Sequence, residues 1–319
     1  MNMSRAVFIG VVTVAVAGCA ARRQAQTPPA PAPAPAFAPS PIPCSMLTSV
    51  GASQPSAERA LPASQWFSLL LYGYLPTGSI TRPATDCFGR RTDWTADRCS
   101  VWPGPAAALP IQPLTAADLV VENLGGEWRL VWAITEHFPD GQAQGPAALA
   151  RFETQGVRVQ ALGVVRAHPT RARLSLKNLA GGPLLVVEGE SCTNPQDPST
   201  CTRTARLIPQ IGNRFAPVDL TDAAGKCGGS TLLLLKGQGT VGKGSGRKDF
   251  QFESGLTYDA QGVAVHEQLT VEERARDGTA GTFLRRVQGE RRVRLQAGAL
   301  LTTGPSILDL WIGAQQKGD

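Results

Sequence analysis

The chain has 319 residues, 42% of them hydrophobic, with 34 Gly, 25 Pro, 31 Lys plus Arg against 25 Asp plus Glu, and a net charge of +6. That apolar content is typical of globular chains and suffices for one large or two small domains. The basic excess is dispersed over Arg171/Arg173, Arg247/Lys248 and Arg285/Arg286/Arg291/Arg292/Arg294. It is interleaved with strand-like residues and lacks an aromatic platform, which argues against nucleic acid and leaves acidic glycans or lipid head groups as the fitting anions.

Residues 1–18 open with Met1 to Arg5, which carries one positive charge, and continue through an apolar run from Ala6 to Ala15 to Val16-Ala17-Gly18 before Cys19. A charged start, an apolar run well short of the ~20 residues that span a bilayer, and small residues at the end describe a removable signal. Val16-Ala17-Gly18-Cys19 resembles the lipobox of bacterial lipoprotein precursors. The resemblance covers these first residues only. It implies a diacylglycerol thioether on Cys19, cleavage before it and acylation of the new amino group. The competing reading is an ordinary secretory signal with a fortuitous cysteine. Several acyl chains hold a protein durably to a membrane, each buried methylene contributing about 0.8 kcal/mol. Ala20 follows the cysteine, and by the same resemblance this pattern is sent on to the outer membrane. Loss of Arg5 with the signal lowers the net charge to about +5.

Residues 19–43 read as a tether. Arg22 and Arg23 precede Thr27-Pro28-Pro29-Ala30-Pro31-Ala32-Pro33-Ala34-Pro35, continuing to Pro39, Pro41 and Pro43. Proline fixes φ and removes donors, so the run favours extended polyproline II and reaches about 70 Å over residues 20–43.

Residues 44–319 read as a β-rich globular region, with 44–115 as a possible subdomain before a main domain over 116–319. Beyond Cys19 there are six cysteines: Cys44, Cys87, Cys99, Cys192, Cys201 and Cys227. An even number in an exported chain reads as a disulfide framework, with fifteen pairings open. Proximity favours Cys87–Cys99 and Cys192–Cys201, which leaves Cys44–Cys227. No Cys-x-x-Cys or histidine cluster points to zinc, and neither a metal nor a cofactor is implied.

Helix signals are few. Ser64–Tyr74 is one candidate. Pro305–Gln315 is the other, with Ser306 and Asp309 spaced like a capping box and Ile307, Leu308 and Trp311 on one stripe; a terminal helix packed on a sheet is favoured over a membrane or partner contact for Trp311. Strand signals dominate. Trp128-Leu130-Trp132-Ile134, Val157-Val159-Ala161, Ala172-Leu174-Leu176 and Val293-Leu295-Ala297 each alternate with the opposite face, as half-buried antiparallel strands do. Turns fall between at Pro139-Asp140-Gly141, Gly181-Gly182-Pro183, Ala224-Gly225 and Asp277-Gly278. The expected fold is mainly β: an antiparallel sandwich, barrel or bent meander with few short helices, braced by disulfides. Glu153-Thr154-Gln155-Gly156 echoes Asp259-Ala260-Gln261-Gly262, which reads as one hairpin chemistry used twice more readily than as duplicated halves.

Gly237-Gln238-Gly239-Thr240-Val241-Gly242-Lys243-Gly244 follows a strand and satisfies most of a phosphate-binding loop. It fails where Gly244 replaces the magnesium-binding Ser or Thr, and where a strand-like run rather than a helix follows. A basic hairpin loop is the reading, with Lys243 and Arg247 as possible anion contacts, and no nucleotide is expected.

Catalytic constellations are not evident. His137, His168 and His266 lie in separate segments, with neither a Gly-x-Ser-x-Gly elbow nor a His-Glu-x-x-His. If Val263, Val265, Leu269 and Val271 face inward, His266 faces out and Glu267 points into the apolar side, where it needs an arginine partner or a change of register. Glu188 and Glu190 flank Gly189 and read as paired carboxylates or a solvated edge. The favoured function is a lipid-anchored envelope module that binds or scaffolds a protein or glycan partner without catalysis. The alternative is a hydrolase of envelope polymers with dispersed acidic residues. An enzyme predicts a deep cleft with converging carboxylates, a binding module a shallow apolar or basic face.

Overall fold

The computed structural model describes residues 44–47, 60–95, 98–99, 107–154, 156–194, 196–242, 247–273 and 281–317. The signal, Cys19, the tether and the Asp277-Gly278 turn lie outside the described residues. The first half runs β1 (Ser45–Leu47), α1 (Ala63–Leu70), β2 (Leu109–Pro110), β3 (Leu119–Gly125), β4 (Trp128–Ala133), β5 (Glu136–His137), β6 (Ala143–Glu153), β7 (Gly156–Ala167) and β8 (Thr170–Leu179). The second half runs β9 (Gly182–Cys192), β10 (Cys201–Ile211), β11 (Arg214–Phe215), β12 (Leu220–Thr221), β13 (Cys227–Gly229), β14 (Leu232–Val241), β15 (Lys248–Asp259), β16 (Gly262–Glu273), β17 (Thr282–Gln296), β18 (Ala299–Thr302) and α2 (Ile307–Lys317).

The fold is mainly β, as the alternation predicts. Among the described residues the strands join into one large mixed sheet that bends into layers and does not close. One stretch runs β3-β4-β6-β7, with β5 and β2 beside β6, and β1 and β11 on the far edge of β7. The other runs β8-β9-β10-β14-β15-β16-β17-β18-β12-β13. The end of β10 joins them by pairing with β11. Pairing is antiparallel except for β11 with β7 and β12 with β18.

Four apolar layers follow from this bending. Helix α1 covers one face of the first stretch, where Trp66, Phe67 and Leu70 meet Val131, Ala133, Phe152 and Val159. The opposite face, with Leu130, Trp132, Ala147 and Val165, packs on Leu174, Leu185 and Val187 of β8 and β9. The other side of β9 and β10, with Leu184, Val186, Ala205 and Leu207, meets Leu233, Val265, Val293 and Leu300 as the second stretch curls back. Helix α2 closes the end of that curl, placing Leu308 and Trp311 on Phe250, Phe252, Leu269 and Val271.

Four expectations are corrected. Strand β4 is buried on both faces rather than one, because α1 covers the face that would otherwise be wet; even Arg129 lies buried against Phe152, its Nη1 donating to the Gly126 and Trp128 carbonyls. Val157 and Val159 face α1 whereas Ala161 faces the other layer, since Ala150 pairs with Val159 but Leu149 with Ala161, and the extra residue Gln160 reverses the alternation. Helix α1 stops at Leu70, not Tyr74: Leu71 is extended and the Tyr72 amide bonds the Thr85 carbonyl. The cysteines pair as Cys44–Cys87, Cys99–Cys227 and Cys192–Cys201, with Cα separations of 5.8, 4.9 and 3.9 Å. The third pairing is as expected, across directly opposed positions of β9 and β10. The first two replace Cys87–Cys99 and Cys44–Cys227. Cys87 stays with the α1 layer where Cys44 is buried, while Arg98 is drawn to Asp219 by a 2.8 Å ion pair that carries Cys99 to β13.

Candidate binding groove

Three strands of the curled stretch supply an open concavity. On β8, Arg173, Ser175 and Lys177 oppose Glu188, Val186 and Leu184 of β9, and on β10 Ala205 opposes Glu188 in turn. One end of this face is apolar and closes into the core; the other is charged and open. There a groove of about 480 Å³ is lined by Glu122 of β3, by Arg171, Arg173, Leu174, Ser175 and Lys177 of β8, by Glu188, Gly189 and Glu190 of β9 and by Arg203 of β10.

Two of its three carboxylates are clamped. The Arg171 guanidinium donates to Glu190 at 3.1 Å and Arg203 to Glu188 at 2.9 Å. Lys177 Nζ lies 4.8 Å from the centre of the Tyr258 ring, a cation–π contact. Burial, with the nearby Glu188 charge second, pushes the Tyr258 phenol up to about 12, so it stays protonated. Arg173 is exposed and has no carboxylate partner among the described residues. Glu188 and Glu190 do share a strand face, but each meets its own guanidinium rather than the other carboxylate. Gly189 between them is required by crowding on the far side, because an added Cβ would stand 1.9 Å from the His168 carbonyl oxygen.

The histidines are not brought together. His137 sits in the short β5 ladder. His168 is buried, its Nδ1 2.9 Å from Thr204 Oγ1, and burial lowers its pKa against the weaker pull of Asp140. Beside it Arg166 stacks 3.8 Å from the Phe138 ring centre and bonds Asp140, and Arg206 stacks over Trp94 while donating to the Arg166 carbonyl, Thr231 and Gln142. This is a buried junction between the layers. His266 faces outward as expected, touching Thr257 and Glu290.

Glu267 points inward, also as expected, and is paired. Arg291 Nε donates to it at 2.9 Å, and the Ile307 amide at the start of α2 donates to its other oxygen at 2.9 Å. Ser306 Oγ accepts from the Leu308 amide. Asp309 faces the same small cavity of about 30 Å³, and burial raises its pKa despite Arg291. That volume suits about one water and no substrate. Glu190, Cys192 and Cys201 also bring a carboxylate and two sulfurs together, but the sulfurs are spent in the disulfide.

The glycine-rich segment is strand, not loop, as far as Val241: Gly237 and Gly239 pair with Phe252 and Phe250 of β15. An added Cβ at Gly239 would meet the Phe250 ring at 2.8 Å, so the glycine makes way for an aromatic. Arg247 is exposed at the foot of β15, and Lys243 lies outside the described residues. The alternation of Ala172, Leu174 and Leu176 puts Arg171, Arg173 and Lys177 on the opposite face of one strand. Glu122 and Arg203 reach the groove from strands without a pattern linking them to β8, and Tyr258 of β15 meets Lys177 there. Comparison with protein-family models, with curated proteins and with solved structures finds no match.

Proposed function

We propose that the chain is a lipid-anchored envelope protein, fastened by acylated Cys19 and the Pro/Ala tether to the outer membrane, whose β-rich body binds a protein or glycan partner without catalysis. The observation that carries the binding reading is the groove: it is open, polar and basic, and two of its carboxylates are held by guanidinium groups. A general acid or base needs a carboxyl free to exchange a proton at a substrate. The inward-facing carboxylates, Glu267 and Asp309, surround a space too small for one. Three disulfides suit an oxidising compartment, in keeping with export.

The test is crosslinking of the intact protein in its own envelope, with mass spectrometry of both the chain and what is joined to it. A chain beginning at acylated Cys19 with a protein or glycan attached through the groove is the expected result. A chain that retains residues 1–18, or a bare Cys19 thiol, overturns the anchor. Turnover of an envelope polymer by the purified protein overturns the binding role in favour of a hydrolase.

A further inference from the structure

We infer that the groove takes an acidic peptide segment in extended conformation, which adds a strand to the free rim of β8; this rests on the binding-module reading above. Among the described residues β8 shares a ladder with β9 alone and β3 with β4 alone. The two strands lie alongside one another without joining. From Arg173 to Leu179 the pairing with β9 is regular, and the other described backbone bonds do not engage this stretch. Its outward N–H and C=O groups are therefore those an open sheet edge offers to water or to another strand, over about 20 Å. The groove follows this rim. Arg173, Leu174 and Ser175 are consecutive, so their side chains alternate between faces, yet all three line it. A concavity on one face alone would reach every second residue. Glu122 of β3 stands as a wall.

Charge selects the occupant. Arg171 and Arg203 are taken by Glu190 and Glu188, which leaves Arg173 and Lys177 without carboxylate partners among the described residues. They lie four residues apart on one face, about 13 Å along the strand, with the small Ser175 between. Basic side chains on a sheet edge deter indiscriminate pairing. A strand that brings acids at i and i+4, with an apolar residue at i+2, turns that deterrent into attraction. The β-bulge between Thr170 and Arg173 ends the regular ladder and confines the added strand to the stretch beyond it.

The test is fluorescence anisotropy with the full mature chain and a labelled peptide containing Glu-Thr-Val-Thr-Glu. Two versions carry N-methyl groups on alternate amides, one set in each, and a third replaces Glu by Lys. The parent peptide is expected to bind, one N-methylated set to abolish binding, and the Lys peptide to fail. Arg173→Glu with Lys177→Glu, both on the surface, should weaken the parent by about tenfold or more with an unchanged circular dichroism spectrum. If both N-methylated peptides bind like the parent, or a uronic-acid oligosaccharide binds and the peptides do not, strand addition is wrong while a binding module stands. If no probe binds and the double variant leaves the envelope crosslinks unchanged, the groove falls as the recognition surface, and the binding reading loses its support with it.

Discussion

A carboxylate in the middle of an apolar strand face is costly unless its charge is met, and on β16 Glu267 stands between Val263 and Val265 on one side and Leu269 and Val271 on the other. It divides the core of the curl from the core under α2, and both its oxygens are engaged, by Arg291 and by the Ile307 amide. Glu267→Ala strands a buried guanidinium and frees the start of α2, so it should cost about 3–5 kcal/mol. Replacing Glu267 and Arg291 together by Leu and Met should restore most of that, because the pair's own desolvation is removed as well. Urea unfolding checks both, as a fall in midpoint for the single variant and its recovery in the double. His168 sets a pH dependence of known sign. Burial beside Arg206 and Arg166 outweighs Asp140 and lowers its folded pKa, so the unfolded chain takes up the proton first as pH falls. The stability it contributes is complete above the ordinary histidine value of about 6.5 and is lost as pH drops from there toward the folded value, by at most about 1.4 kcal/mol per pH unit. His168→Asn, which keeps a polar group facing Thr204, should flatten the stability curve as pH falls below the ordinary histidine value of about 6.5. A slope as steep as the parent's would place the acid sensitivity elsewhere.

At the scale of elements, strands with one wet face were legible because their alternation has a period of two, and β8 and β16 behave as read, down to the opposed directions of His266 and Glu267. What a second layer covers was not legible. The pattern of β4 is the same whether α1 lies on it or water does, and helix α1 is short enough that its end depends on Thr85 taking the Tyr72 amide. A bulge is equally silent: nothing about Gln160 announces that Val159 and Ala161 face opposite layers. Helix α2 could be read from its own stripe, but the carboxylate at its start comes from β16, forty residues away, and not only from the local Ser306 and Asp309 spacing. The groove was half legible for the same reason. Its β8 wall is a local alternation, whereas Arg203 and Glu122 arrive through pairings and layer contacts that depend on the whole fold.

The whole molecule depends on where its cysteines meet. Pairing the near neighbours Cys87–Cys99 and Cys192–Cys201 would have left Cys44 to close the longest loop with Cys227; the observed bonds close spans of 43, 128 and 9 residues. By loop entropy these constrain the unfolded chain by about 4, 5 and 2.5 kcal/mol. Together that is roughly the 5–15 kcal/mol by which a folded domain exceeds its unfolded state. Cys44–Cys87 also locks the first described residue, where the proposed tether joins the body, to the α1 layer, so a pull on the anchor would reach β7 and α1 rather than peel β1 away. Full reduction should therefore abolish cooperative thermal unfolding near physiological temperature, and Cys99→Ser with Cys227→Ser, which opens the longest loop, should lower the midpoint more than Cys192→Ser with Cys201→Ser. The same chemistry counts the remaining thiol. Of seven cysteines in the chain six are spent in these bonds, and the seventh is Cys19. Thiol titration of the denatured, unreduced protein from its native envelope should find none if Cys19 carries lipid, and one per chain in oxidised protein made from residue 19 onward, which leaves Cys19 unacylated. One thiol in the native material, with the reduced protein still unfolding cooperatively, would remove both the anchor and the oxidised framework from the account.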